Sequence, residues 1–151
     1  MQDIAPEVVS IADACLGSLQ GRSALLIGPA KQRYPYLQLL RQLRVKIVYQ
    51  EDTPVRVPQL LPYVQLMINL PIDKGTSEAS NAADAADPIN SSLITAATIA
   101  KGCQGRRTPL LIFDLAPTTS IEELAGLLPA VCLYTPEDMR TILDKLEMKA
   151  S

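Results

Sequence analysis

The 151-residue sequence contains no histidine and no tryptophan, and its one phenylalanine is Phe113. Without histidine there is no Ser-His or Cys-His nucleophile pair and no imidazole-bound metal. Stacking of single-stranded nucleic acid would rest on five tyrosines alone, which argues against that class of partner. Cysteine is scarce. Cys15, Cys103 and Cys132 lie far apart without metal-type spacing, so they are expected to be reduced structural thiols of a cytoplasmic protein, and no metal site is expected. No apolar run is long enough to span a membrane. The opening "MQDIAPEVVS" is acidic and helical in character, so no signal peptide is expected.

Acidic residues are also missing from one long stretch. None occurs between Asp13 and Glu51, where Arg22, Lys31, Arg33, Arg41, Arg44 and Lys46 all fall. The formal net charge is only −2, so this is a local basic region on a near-neutral chain. It suits a solvated helix face, an anionic small ligand or an acidic partner surface better than nucleic acid.

Apolar residues make up 48% of the chain and charged residues 20%, the balance of a soluble globular protein, and the length suits one domain over 1–151. "APEVVSIADACLGSL" has Pro6 at a helix start and apolar residues at helical spacing. "SALLIG" is a short, wholly apolar strand of the kind buried on both faces. Residues 35–43 repeat apolar positions at helical spacing, and Pro35 predicts a helix that starts near Tyr34. "VKIVYQ" and "VQLMINL" are further strands, separated by the proline-bounded "VPQLLPY".

Residues 73–92 are polar and rich in small side chains, and they predict a mobile surface loop. Asn90 or Ser91 is a candidate cap for a helix in "SSLITAATIAKG", with Gly102 at its end. "PLLIFDLA" is a fourth strand. Ser120 and Glu123 form a capping box for "SIEELAGLL". "AVCLY" is a fifth strand, and Thr135 and Pro136 open a final helix. Strands alternating with helices predict an α/β fold: a doubly wound, mostly parallel sheet with helices on both faces, Rossmann-like. Ligands in such sheets bind at the carboxyl ends of the strands.

In order and spacing these segments resemble the NAD(P)-binding domain of glutamyl-tRNA reductase, an enzyme of tetrapyrrole biosynthesis. "PLLIFDLAPTTSIEELAGLLPAVCLYTPEDMRTIL" is similar to that family's strand ending in Asp-(Leu/Ile)-Ala, its short acidic helix and its "GVYLYDIDDL" turn. "SIADACLGSLQGRSALLIG" matches its helix leading into "VLLIGAG", and "RVKIVYQEDT" stands at its "VKKIIVANRT". The resemblance implies a nucleotide site at Gly28, Ala30, Lys31, Arg33, Asp52, Asn69 and Asp114. It implies no catalytic residue. The family's nucleophilic cysteine belongs to a catalytic domain for which these residues leave no room, and Cys15 reads as a small buried apolar residue.

The implied contacts have drifted. Where the family has Gly-Ala-Gly-Glu-Met, this chain has Gly28-Pro29-Ala30-Lys31-Gln32. The second glycine lets backbone approach a pyrophosphate, whereas Ala30 adds a methyl group and Pro29 removes an N–H donor. The family's "ANRT" becomes Gln50-Glu51-Asp52-Thr53, an acidic turn that favours NAD over NADP if a dinucleotide binds. "ISSTG" becomes Ile68-Asn69-Leu70-Pro71-Ile72, and "DLAVPRDI" becomes Asp114-Leu115-Ala116-Pro117-Thr118-Thr119-Ser120-Ile121. Two functions follow as expectations. One is a non-catalytic binding or regulatory module with a degenerate nucleotide site, acting on a protein partner, a second copy of itself or an anionic small ligand. The other is a working NAD(P)-binding subunit of an oxidoreductase whose catalytic part lies elsewhere.

Overall fold

In a computed structural model of the chain, the described residues are 4–70, 94–104, 108–115, 121, 123–128 and 130–150. Helix α1 (Ala5–Leu16) carries Pro6 in its first turn, where the missing N–H has no helical partner to lose. It ends at Gly17, whose φ of 81° is the left-handed conformation that closes a helix. The Arg22 guanidinium then donates to the carbonyls of Leu16 and Ser18, both at 2.7 Å, so this basic residue serves the helix end.

Strand β1 (Ser23–Ile27), α2 (Ala30–Gln42) and β2 (Ile47–Glu51) follow. A short α3 (Val57–Leu60) between two 3₁₀ turns precedes β3 (Leu66–Asn69). Then come α4 (Ala96–Gly102), β4 (Leu110–Asp114), a 3₁₀ helix (Glu123–Leu127), β5 (Val131–Tyr134) and α5 (Pro136–Ala150). The five strands are parallel in the order β2-β1-β3-β4-β5. The apolar runs of β3 and β4 are buried at every position, as expected for strands covered on both faces. One core joins α1, α2 and Met139 of α5 to Leu26, Leu66, Ile68, Leu111 and Phe113. The other joins α3, α4 and the 3₁₀ helix to Leu25, Ile27, Met67, Leu110 and Ile112. The fold is therefore the doubly wound, Rossmann-like α/β sheet that the sequence predicts.

Several local expectations are corrected. Helix α2 starts at Ala30, directly after the strand, and Pro35 lies inside it. An interior proline costs a helix about 3 kcal/mol. The start is held by the Pro29 carbonyl, which accepts from the amides of Gln32 and Arg33 at 3.0 Å each, and by burial of Tyr36 and Leu40. Helix α4 starts at Ala96 with Thr95 as its cap, the Thr95 Oγ1 accepting from the Thr98 amide at 3.1 Å. Asn90, Ser91, the 73–92 loop and Ser120 lie outside the described residues. Gly102 is the last residue within α4, and a Cβ there would stand 2.6 Å from the Leu61 Cβ. Its bareness therefore serves packing.

At the last helix the expectation holds. The Asp138 amide donates to Thr135 Oγ1 (3.1 Å) while Asp138 Oδ2 accepts from the Thr135 amide (2.9 Å), a reciprocal cap. Among the described residues, no helix is long and apolar enough to cross a membrane.

Candidate functional site

The strand registers decide which residues meet. Ile27 is level with Glu51 on one side and Asn69 on the other, and Asn69 is level with Asp114. Gly28, Asp52, Asn69 and Asp114 thus line the carboxyl edge in one row. Because β2 and β3 leave β1 in opposite directions, the edge at β1 and β3 is the switch point where such sheets bind ligands. The sequence-predicted positions are brought together. Each of the three gaps between them is closed by the chain's own side chains.

In the gap between β2 and β1 lies Arg33, in the first turns of α2. Its Nε donates to the Gly28 carbonyl (2.8 Å), its NH1 to Gln50 Oε1 (3.2 Å) and its NH2 to Asp52 Oδ1 (2.7 Å). The Arg33 side chain is 12% exposed and that of Asp52 is 79% exposed. The acid expected to read ribose hydroxyls is already an acceptor for a guanidinium. Arg56 NH1 lies 3.3 Å from Glu51 Oε2 beside it.

At the switch point itself, Gly28 has φ +140°, a conformation that side chains disfavour. A Cβ there would stand 2.9 Å from the Cβ of Leu70. Leu70 is buried, and its amide donates to the Ile27 carbonyl at 2.8 Å. Leu70 thus packs directly against the glycine, and its side chain joins the core under α1 and α2. Leu70 is the residue that reasoning from ligand-contact types missed. Its signal was there to read: a leucine directly after a strand, where the resembled family has a small hydroxyl side chain.

In the gap between β3 and β4, Asn69 Nδ2 donates to Asp114 Oδ1 (3.3 Å), and the Ile121 amide donates to Asp114 Oδ2 (3.2 Å). Both side chains are buried. Asp114 thus holds both Asn69 and the Ile121 amide, and the pair faces its own neighbours. Ala30 and Lys31 are exposed at the start of α2, so the positive helix end sits at the strand tip after all. A cleft of about 420 Å³ lies elsewhere, between Pro58 and Pro62 near α3 and Thr98, Lys101, Gly102 and Gln104 of α4 and its end.

Among the described residues, no acid–base or nucleophile arrangement accompanies this row. Cys15 is exposed, contrary to its reading as a buried apolar residue, and its Sγ lies 3.4 Å from the Tyr134 hydroxyl. That hydrogen bond, with partial burial and the neighbouring Cys15, Cys132 and Asp138, pushes Tyr134 up to about 12. Burial raises Cys132 as well, helped by Cys15 and Asp138. Both shifts hold the neutral forms, the reverse of what activates a nucleophile. The three cysteines are free, and among the described residues no group of His, Cys, Asp or Glu is placed to hold a metal ion.

No family model matches the chain. Glutamyl-tRNA reductase from Methanospirillum hungatei is 28% identical across 93% of this chain, which spans 35% of that protein. The structure of glutamyl-tRNA reductase from Methanopyrus kandleri superposes on 95% of this chain with a TM-score of 0.69, at 17% identity and over 37% of its own length. NAD+-bound 3-phosphoglycerate dehydrogenase from Entamoeba histolytica superposes on 87% of this chain, at a TM-score of 0.58, 14% identity and 45% of its own length. The chain therefore spans about a third of the reductases it matches. The resemblance read from the sequence stands: this is a Rossmann-like domain, a divergent relative of the NAD(P)-binding domain of glutamyl-tRNA reductase.

Proposed function

We propose that this chain is a non-catalytic binding or regulatory module whose nucleotide site is degenerate. The observation that carries the reading is the closure of all three gaps along the carboxyl edge. Arg33 holds Asp52, Leu70 packs on Gly28, and Asn69 holds Asp114. A dinucleotide would have to displace the first, push aside the second and pass Ala30 where a second glycine would let backbone approach a pyrophosphate. Its binding role is then toward a protein partner, or toward a small anionic ligand met by Lys31 and Arg33, in the cytoplasm. The test is thermal unfolding of the chain with NADH and with NADPH. The reading expects no stabilisation up to about 1 mM of either. A saturable rise in Tm with either one would overturn it.

One observation favours a second reading, a working NAD-binding subunit of an oxidoreductase. Helix α2 begins at the strand tip with Lys31 exposed in its first turn, so its positive end is available to a phosphate. Asp52 is exposed enough to exchange Arg33 for ribose hydroxyls. Its charge would favour NAD over NADP. In the same titration this reading expects NADH to stabilise the chain more than NADPH.

A further inference from the structure

Helix α2 presents a row of exposed side chains along one face. Lys31, Tyr34, Gln38 and Arg41 are all exposed and follow one another at three- and four-residue steps, which aligns them over about 15 Å. Tyr34 is 60% exposed and stands one turn from Lys31. Exposed Arg44 and Lys46 continue the basic run past the helix end. No acid answers these cations. All sixteen acids of the chain lie outside residues 14–50, and the two that follow β2's run, Glu51 and Asp52, already contact Arg56 and Arg33. Among the described residues, Lys31, Arg41, Arg44 and Lys46 make no salt bridge. A face that serves only solubility mixes both signs, often as i, i+4 pairs, and this one does not.

Two of the cations stand where folding favours another residue. Lys31 lies in the first turn of α2, where the helix dipole favours acids and where no acid is present. Arg44 follows the helix at φ 66°, the left-handed conformation that glycine adopts without strain. Among the described residues it is the one non-glycine residue with a positive φ. An acid in the first turn and a glycine at 44 would each relieve the helix. Side chains held against local stability mark a surface kept for another purpose.

We propose that the outer face of α2, from Lys31 to Arg41 with Arg44 beyond it, docks an acidic segment of a protein partner. The inference rests on the reading above of a module that binds a protein partner. The partner's Asp and Glu side chains meet the cations, and Tyr34 supplies the amphipathic ring that anchors such contacts. Nucleic acid suits the surface less well, because the chain is formally −2 overall and Tyr34 is the one aromatic in the row. The contacts lie in water, so the attraction is modest and weakens with salt.

The test titrates the isotopically labelled full chain with an oligoglutamate peptide of about fifteen residues, and separately with a DNA duplex of comparable charge, up to about 1 mM. With the peptide, saturable shifts are expected at the amides of Lys31, Tyr34, Gln38 and Arg41, lost in about 0.5 M salt, with a weaker response to the duplex. Replacing both Lys31→Gln and Arg41→Gln should weaken peptide binding about tenfold without lowering Tm. Arg44→Gly should weaken binding and raise Tm together, a combination that a residue serving only the fold does not give. A chain that shows no saturable shift with the peptide overturns the proposal. So do shifts centred away from α2, tighter binding of the duplex, or an Arg44→Gly variant that loses stability and keeps its binding. The degenerate-site reading stands or falls separately, on NADH and NADPH.

Discussion

The two flanks of the carboxyl edge are closed by similar groups in different surroundings. Between β2 and β1 a guanidinium holds an aspartate that is 79% exposed, and between β3 and β4 an amide holds an aspartate that is 1% exposed. Water competes for the first carboxylate and cannot reach the second. The first contact can open at little cost and the second cannot. The β2–β1 flank is therefore where ligand recognition could be lost or regained, while the β3–β4 flank belongs to the fold. Gly28 and Leu70 lie between them and take the character of the buried side.

The comparison can be broken most sharply at its middle. Gly28→Ala places a Cβ at φ +140° and 2.9 Å from the Leu70 Cβ. Backbone strain and overpacking together should lower unfolding stability by about 3 kcal/mol or more, measured by urea denaturation. Asp114→Ala comes next. It leaves the Asn69 amide and the Ile121 N–H buried without their acceptor and should cost about 2–3 kcal/mol in the same assay. A loss as small as that of a surface substitution would mean that the β3–β4 flank is as wet as its counterpart.

Asp52→Ala should cost less than about 1 kcal/mol, and less again at high salt, since its partner contact is exposed. A loss comparable to that of Asp114→Ala would remove the distinction between the flanks. The smallest effect is expected on β5. Tyr134 is raised from its ordinary 10 to about 12, so the folded state holds that proton longer than the unfolded chain does. Its contribution is complete below pH 10 and is lost as pH rises toward 12. Tyr134→Phe should flatten the fall in Tm above pH 10, and an unchanged alkaline limb would contradict the assignment.

The architecture was legible because burial on both faces leaves continuous apolar runs, as in "LLIFD" and "LMIN". Caps that act over three residues, such as Thr135 with Asp138, were legible for the same local reason. Strand order was not, because parallel neighbours are chosen by packing far along the chain. The start of α2 was misread because the rule for Pro35 is local and the bonds that overrule it come from Gly28 and Pro29. Cys15 was misread because helical spacing does not say where an apolar stripe ends. At the site, Arg33 and Asp52 were each recognised as ligand-contacting types. Nothing in the sequence showed that they answer each other across nineteen residues.

The central claim is that the chain's own side chains fill the edge where a dinucleotide would lie. It is tested most directly by titrating the isotopically labelled protein with NADH and following the amide resonances of Gly28, Lys31, Asp52 and Leu70. The account predicts no saturable change at these amides up to about 1 mM. A saturable shift centred on Gly28 and Lys31 and reaching Asp52, with Arg33 released from it, would contradict the account.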